Sequence, residues 1–267
     1  MRSPIITVMS NAAISAGKGL LRDFGEVDQL QVSRKGVADF VTASDIRTEK
    51  KLVSELKRAR PDFGFLLEEQ GQLPGKDPEY RWIIDPLDGT SNFIHAVPYF
   101  CISIALERGG RTPEITAGIV YDPIHNELFY AEKGKGAFLN DRRLSASGRD
   151  ALEDAMVVTS NPRAAFTEPA AQETLRQMFL SAGSVRATGA SALDLAYVGA
   201  GRYDACWFKG LKPWDAAAGL LIVQEARGIV SDHAGGPASI YGATLLASNP
   251  HLHGKMMKLL AGSPSNR

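Results

Sequence analysis

The chain is poor in cysteine, carries no net charge and has no long apolar run. Each shortage removes a class of function. Two cysteines in 267 residues, Cys101 and Cys206, are too few for a disulfide framework and suit a reducing compartment. With 30 basic and 30 acidic side chains the formal net charge is zero, so no direct nucleic-acid surface is expected. The longest apolar stretches, such as residues 100–106, fall far short of the roughly 20 residues that span a bilayer. The opening Met1-Arg2-Ser3-Pro4-Ile5-Ile6 has no long apolar segment ahead of a small-residue cleavage site. A cytoplasmic protein with no membrane contact is the expectation. No internal repeat or low-complexity tract is visible. What is present is ordinary globular material, 44% hydrophobic and 22% charged, enough for a substantial core.

Ile5, Ile6, Met9, Ala12, Ala13, Ala16, Leu20 and Phe24 recur at helical spacing and predict an amphipathic first helix. Residues 31–38 read as a loop. Residues 44–60 read as a second helix, with Val53 and Leu56 inward and Pro61 as its stop. β-like runs follow at 63–67, 82–84, 100–106, 115–121 and 127–131, with turn signals at Gly134, Gly136 and Asn140-Asp141. After about Asp150 strands and helices alternate. Strands are expected at 156–159, 184–188, 205–208, 229–231 and 244–247. Helices are expected at 168–180, 191–198, 215–226 and after Pro250. Residues 1–150 thus read as an α+β half and 151–267 as an α/β half, two sheets sandwiched among helices. The tail, residues 262–267, reads as frayed.

The acids sit where strands end and helices begin. Glu68-Glu69 closes one apolar run, Asp85 closes another, Asp88 follows in Asp85-Pro86-Leu87-Asp88-Gly89-Thr90, and Asp215 starts a helix after Trp214. Brought together, these carboxylates repel. Two unit charges 4 Å apart cost about 1 kcal/mol in water and about 4 kcal/mol at an effective dielectric near 20. Such a cluster needs cations, and oxygen-only donors select hard ions such as magnesium. Pro86 should stiffen the turn that carries Asp85, Asp88 and the Leu87 carbonyl. Gly89-Thr90-Ser91-Asn92 offers backbone N–H groups and hydroxyls for an anion. Cations beside an anion site suggest metal-assisted phosphoryl chemistry, with Thr90 holding the water and Asp45 accepting a hydrogen bond from it.

These residues resemble the inositol monophosphatase family of magnesium-dependent, lithium-sensitive phosphatases. The resemblance rests on Trp82-Ile83-Ile84-Asp85-Pro86-Leu87-Asp88-Gly89-Thr90-Ser91-Asn92-Phe93 and on Pro213-Trp214-Asp215-Ala216-Ala217-Ala218-Gly219. Support comes from Asp39-Phe40-Val41-Thr42-Ala43-Ser44-Asp45, Glu68-Glu69 and Gly189-Ala190-Ser191-Ala192-Leu193. The pieces occur in family order across most of the chain.

The resemblance implies a layered α-β-α-β-α sandwich of the inositol monophosphatase/fructose-1,6-bisphosphatase type, commonly a homodimer. It also implies two or three magnesium ions held by Glu68, Asp85, the Leu87 carbonyl, Asp88 and Asp215. Most of these ligands fall in the first half, with Asp215 and substrate contacts in the second. Asp45, Glu68 and Thr90 would be catalytic, with Asp45 and Thr90 orienting the water and Glu69 supporting. Gly89, Thr90, Ser91, Gly189, Ala190, Ser191, Phe208 and Asp215 would meet substrate, and Lys35 lies near a family lysine.

One departure concerns the alcohol. Seven residues before Asp215, many inositol phosphatases carry a glutamate that contacts a substrate hydroxyl, and here Phe208 stands there, followed by Lys209. Ala190 likewise replaces a common hydroxyl residue. Phe208→Glu is therefore expected to move preference towards inositol monophosphate.

The expected activity is hydrolysis of a small phosphomonoester, inositol-1-monophosphatase-like. Fructose-1,6-bisphosphate and histidinol phosphate are the alternative substrates. A different class is a protein partner of the transcription machinery, with phosphatase activity dispensable. Other signals are weaker. Gly17-Lys18-Gly19 lacks P-loop spacing, Gly189 to Leu193 lacks the last glycine of a nucleophile elbow, and Gly134-Lys135-Gly136 sits between strands. His251 and His253 read as solvated, His95 as a neutral loop histidine, and Cys101 as core.

Overall fold

The computed structural model describes residues 2–26, 32–36, 39–159 and 169–261. The tail expected to fray and the Lys35 side chain lie outside that description. Helix α1 (Pro4–Phe24) starts at Ser3, whose hydroxyl accepts the Ile6 N–H at 3.3 Å, and Pro4 costs no hydrogen bond in the first turn. Its buried stripe is the one the periodicity marked, from Ile6 and Met9 to Leu20. Strands β1 (Val32–Gly36) and β2 (Asp39–Thr42) pair antiparallel, where a loop was expected over 31–38. Sequence periodicity misses so short a ribbon, because hydrogen bonding to a neighbour defines it. Helix α2 (Ala43–Ala59) begins with a capping box: Thr42 Oγ1 accepts from Ser44 and Asp45, while Asp45 accepts the Thr42 N–H. Leu52 and Leu56 are fully buried, Val53 partly so.

Eight strands form the larger sheet: β3 (Phe63–Leu67), β4 (Gly71–Leu73), β5 (Asp77–Asp88), β6 (Cys101–Arg108), β7 (Glu114–Asp122), β8 (Glu127–Glu132), β9 (Gly136–Leu139) and β10 (Arg142–Arg143). Their spatial order is β10-β9-β8-β7-β6-β5-β3-β4, antiparallel except where β3 meets β5. The smaller sheet has β11 (Met156–Thr159), β12 (Ser184–Arg186), β13 (Ala205–Lys209), β14 (Ile229–Ser231) and β15 (Thr244–Ser248), ordered β12-β11-β13-β15-β14. The remaining helices are α3 (Thr90–Ile94), α4 (Pro169–Ser181), α5 (Ser191–Gly199), α6 (Pro213–Glu225) and α7 (Pro250–Ala261).

Strand alternation sorts the core into three layers of contact. Trp82 and Ile84 of β5 face α1 and α2, whereas Ile83 faces α5 and α6. In the small sheet Val158 and Phe208 face those same two helices, whereas Val157 and Trp207 face α4 and α7. The result is the α-β-α-β-α sandwich. Helix α6 lies between the sheets and is buried from Ala216 to Val223, as a helix apolar on all sides should be. Its small residues set the spacing: a Cβ on Gly118 of β7 would meet the Ala218 Cα at 2.9 Å.

Cys101 and Cys206 are buried free thiols. Among the described residues no helix is long and apolar enough to cross a membrane. His253 departs from expectation. It is buried, with Nε2 3.0 Å from Ser231 Oγ and Nδ1 2.8 Å from Ser248 Oγ, and burial lowers its pKa. The helical wheel after Pro250 is too short to show which face meets the sheet.

Candidate active site

The Asp85–Asp88 segment is not the tight turn that Pro86 suggested. Strand β5 continues to Asp88, and its pairing with β6 jumps from Asp85 opposite Ser103 to Asp88 opposite Cys101. Three steps on one strand face two on the other, which is a β-bulge, a place where a strand tolerates proline. The bulge matters chemically. In a regular strand, residues three apart point to opposite faces. One extra residue cancels that and lets both carboxylates face the same side.

Two further connections bring in the remaining acids. Glu68 follows β3, the parallel neighbour of β5, and its N–H donates to the Ile84 carbonyl at 3.3 Å. Ser103 donates to the Trp214 carbonyl at 3.1 Å, which fixes the start of α6 beside Asp85. Asp215 is in the first turn of α6 and accepts the Lys212 N–H at 2.8 Å.

The electrostatics report the proximity. Asp85 is pushed well above the usual carboxylate range, first by burial and then by the charges of Glu68, Asp88 and Asp215. Asp88 is pushed well up by burial and by Asp215, Asp194 and Glu68, although the Ala192 N–H, 2.7 Å away, favours its charged form. Asp215 rises to about 6, chiefly through burial. Asp85 and Asp88 thus each lie within electrostatic range of Glu68 and Asp215.

The donor chemistry, four carboxylates that repel one another, fits a hard divalent cation. Among the described residues no group of three or more His, Cys, Asp or Glu side chains is placed to hold a metal ion as it stands. As placed, Glu68 and Asp85 hydrogen-bond to each other, an arrangement that needs a shared proton.

Beside the acids, Thr90 Oγ1 lies 3.1 Å from Asp45 Oδ1 and 3.0 Å from the Leu87 carbonyl. Asp45 Oδ2 is taken up by the Thr42 N–H at 2.8 Å and hydroxyl at 2.5 Å. Burial raises the Asp45 pKa, partly offset by those two bonds. Gly89 caps α3 at φ +97°, and a Cβ there would sit 3.0 Å from the Tyr99 carbonyl and 3.2 Å from the Ala190 Cβ. The first N–H groups of α3 have no acceptor within the helix.

The expected substrate residues divide. Ser91 and Gly189 are exposed, Ser191 is half-buried, and Ala190 is buried against Gly89. Phe208 corrects its expectation, being only 1% exposed and packed in the core with Ala190, Leu193 and Ala216. No open side chain waits there for an alcohol. Phe208→Glu therefore places a carboxylate in apolar surroundings. It is expected to destabilise by about 3–5 kcal/mol, comparable with losing the ring altogether. A thermal melt of Phe208→Glu within 2–3 °C of the parent would contradict this burial.

Sequence reading missed several contributors. Glu49 is fully buried on α2 and accepts the Glu69 N–H and the Gln70 side chain, each at 2.9 Å, so it holds the turn after Glu68. The Ala192 N–H holds Asp88. Backbone donors leave no residue-type signal. Glu49 is followed by Lys50 and Lys51, and neighbours of that kind give no sign of burial. A cavity of about 510 Å³, lined by Glu107, Ile115, Leu220, Gln224 and Tyr241 among others, lies towards the far end of α6 from Asp215. A larger cavity of about 620 Å³, lined by Arg2, Ile6, Tyr130 and Phe138 among others, also lies away from the acids.

The profile of the inositol monophosphatase family matches residues 1–265. The chain is 46% identical to an inositol-1-monophosphatase of Mesorhizobium japonicum over 258 residues, 96% of each chain. It is similar to the crystal structure of the extragenic suppressor protein suhB from Bartonella henselae, with 45% identity, a TM-score of 0.91 and coverage of 97% of this chain and 99% of that one. A Nus factor SuhB of Xylella fastidiosa is 42% identical over 239 residues, 89% of this chain and 85% of that protein.

Proposed function

Since the chain belongs to the inositol monophosphatase family and is a phosphatase, we propose that it hydrolyses a small phosphomonoester of the inositol-1-phosphate class with magnesium at the four-acid cluster. The observation that carries this reading is the pair of buried carboxylates, Asp85 and Asp88, on one bulged strand within electrostatic range of Glu68 and Asp215, beside the Thr90–Asp45 hydrogen bond at 3.1 Å.

Glu68, Asp85, the Leu87 carbonyl, Asp88 and Asp215 would hold two or three magnesium ions. When bound, these lower the pKa of a water, neutralise phosphate oxygens and stabilise the leaving alkoxide. The chain's own residues orient the reactants. The single Thr90 hydroxyl proton is directed to Asp45 or the Leu87 carbonyl, so towards a water Thr90 Oγ1 can only accept. It thereby fixes which water proton points away from phosphorus. Asp45 cannot swing to the water, because Thr42 holds its other oxygen. The N–H groups around Gly89 to Ser91 would receive the phosphate, and Gly89 lets them approach without a Cβ. As the new P–O bond forms, the ester P–O bond breaks. The alcohol leaves with a proton that comes ultimately from the water.

The test is magnesium-dependent phosphate release from inositol-1-phosphate, fructose-1,6-bisphosphate and histidinol phosphate. Release from the first, abolished by chelator and inhibited by lithium, is expected. Release indifferent to chelator would end the proposal. A cytoplasmic homodimer accords with the family and with the two free thiols.

A second role, binding to the transcription machinery, has one specific support in the relatives named Nus factor SuhB. Co-purification of RNA polymerase with a variant lacking phosphatase activity would favour it.

A further inference from the structure

A closed ring of side chains lies behind the candidate phosphate turn and takes no part in the chemistry above. The Asn92 amide donates to the Tyr99 carbonyl at 2.7 Å and to the Thr188 carbonyl at 2.8 Å. Asp194 closes the ring from the other side. Its carboxylate accepts the Tyr99 hydroxyl at 2.7 Å and the Thr188 hydroxyl at 2.6 Å. The backbones of two distant segments are thus clamped by one residue and their side chains by another.

Both segments border the site. Tyr99 places its carbonyl against Gly89, the cap of α3. Thr188 leads through Gly189 and Ala190 into α5, whose Ala192 N–H holds Asp88. The ring therefore sets the distance between the N-terminal turn of α3, which would receive phosphate, and the first turn of α5, which holds Asp88.

Asp194 is 1% exposed and its donors are two neutral hydroxyls. A carboxylate so placed is expensive compared with an apolar residue of similar size. Burial raises its pKa to about 7, so even the hydroxyls do not make the charge comfortable. Its charge also adds to the repulsion felt by Asp88. Stability alone does not account for it, whereas geometry does. A two-oxygen acceptor can hold two hydroxyls from different segments at once.

We propose that Asp194, through Tyr99 and Thr188, is a positioning residue that fixes the Gly89–Thr90 phosphate turn relative to Asp88. This rests on the phosphatase reading above. A shift of about 1 Å in such a constellation costs roughly 100-fold, and loss of supporting hydrogen bonds around a metal site costs about 10–100-fold.

The experiment compares the full chain with Asp194→Ala, Asp194→Asn, Tyr99→Phe and Thr188→Val. Readouts are kcat and KM for inositol-1-phosphate, the calorimetric Kd of inorganic phosphate with magnesium, and melting temperature. For Asp194→Ala, KM and phosphate Kd are expected to rise about 10-fold and kcat/KM to fall about 10–100-fold. Asp194→Asn, which keeps one acceptor and can also donate, should return within about 3-fold of the parent. Wild-type phosphate Kd and KM in Asp194→Ala overturn the proposal, as does an Asp194→Asn variant no better than alanine. Should Asp194→Ala fail to fold, Tyr99→Phe and Thr188→Val decide. A raised phosphate Kd in either upholds the ring, and parental values in both overturn it. If the parent itself lacks magnesium-dependent phosphatase activity, the functional reading falls instead.

Discussion

Asp88→Asn is expected to lose at least about 1,000-fold in kcat, roughly 4 kcal/mol of barrier, and yet to melt higher than the parent without magnesium. The two effects have one cause. Asp88 is buried among like charges from Asp215, Asp194 and Glu68, which hold its pKa well up. Asparagine keeps an acceptor for the Ala192 N–H but removes the charge. Relief of repulsion worth about 1–2 kcal/mol raises the melting temperature of a chain this size by several degrees, about 2–4 °C per kcal/mol. The same charge is what would hold a divalent ion, so activity disappears. Added magnesium should stabilise the parent much more than the variant. Phosphate release and paired thermal melts check this. An Asp88→Asn enzyme within tenfold of the parent would remove the acid cluster from the reaction.

Stability should depend on pH and magnesium together. Asp85, Asp88 and Asp215 have folded-state pKa values above those of unfolded aspartate, Asp215 near 6. In the window between the two values the folded state binds more protons than the unfolded one. Stability from these groups is therefore complete below about pH 4 and lost as pH rises through the folded values. For Asp215 alone, a rise from 3.8 to about 6 corresponds to about 3 kcal/mol over that window. Asp194, near 7, acts in the same direction. The metal-free protein should melt lower at pH 8 than at pH 5.5. Magnesium at about 100 times its Kd adds roughly 2.7 kcal/mol, and more of that appears at pH 8, where the acids are charged. Differential scanning calorimetry at the two pH values, with and without magnesium, decides. A magnesium shift that is equal at both, or larger at pH 5.5, would contradict the cluster.

The same residues mark where local reading succeeds. α1 and α2 were legible because their apolar spacing is set by a period that any tertiary context preserves. The end of β3 at Leu67 was legible because its apolar run stops there, whereas β5 runs past the expected end at Asp85 to Asp88. Even the cap at Thr42 carries a signature, a hydroxyl followed three residues later by an acid.

The sequence alone determined the inventory: which acids exist, which segments carry them, and that oxygen donors without histidine or cysteine suit a hard ion. The tertiary structure alone decided their directions. The bulge turned Asp85 and Asp88 to one side, and β13 turned Phe208 into the core rather than towards an alcohol. Asp194 was brought to Tyr99, 95 residues earlier in the chain. The physical reason is that periodicity encodes only a residue's relation to its own element. Bulges, buried faces and hydrogen-bonded rings are settled between elements, by packing partners that no local pattern names.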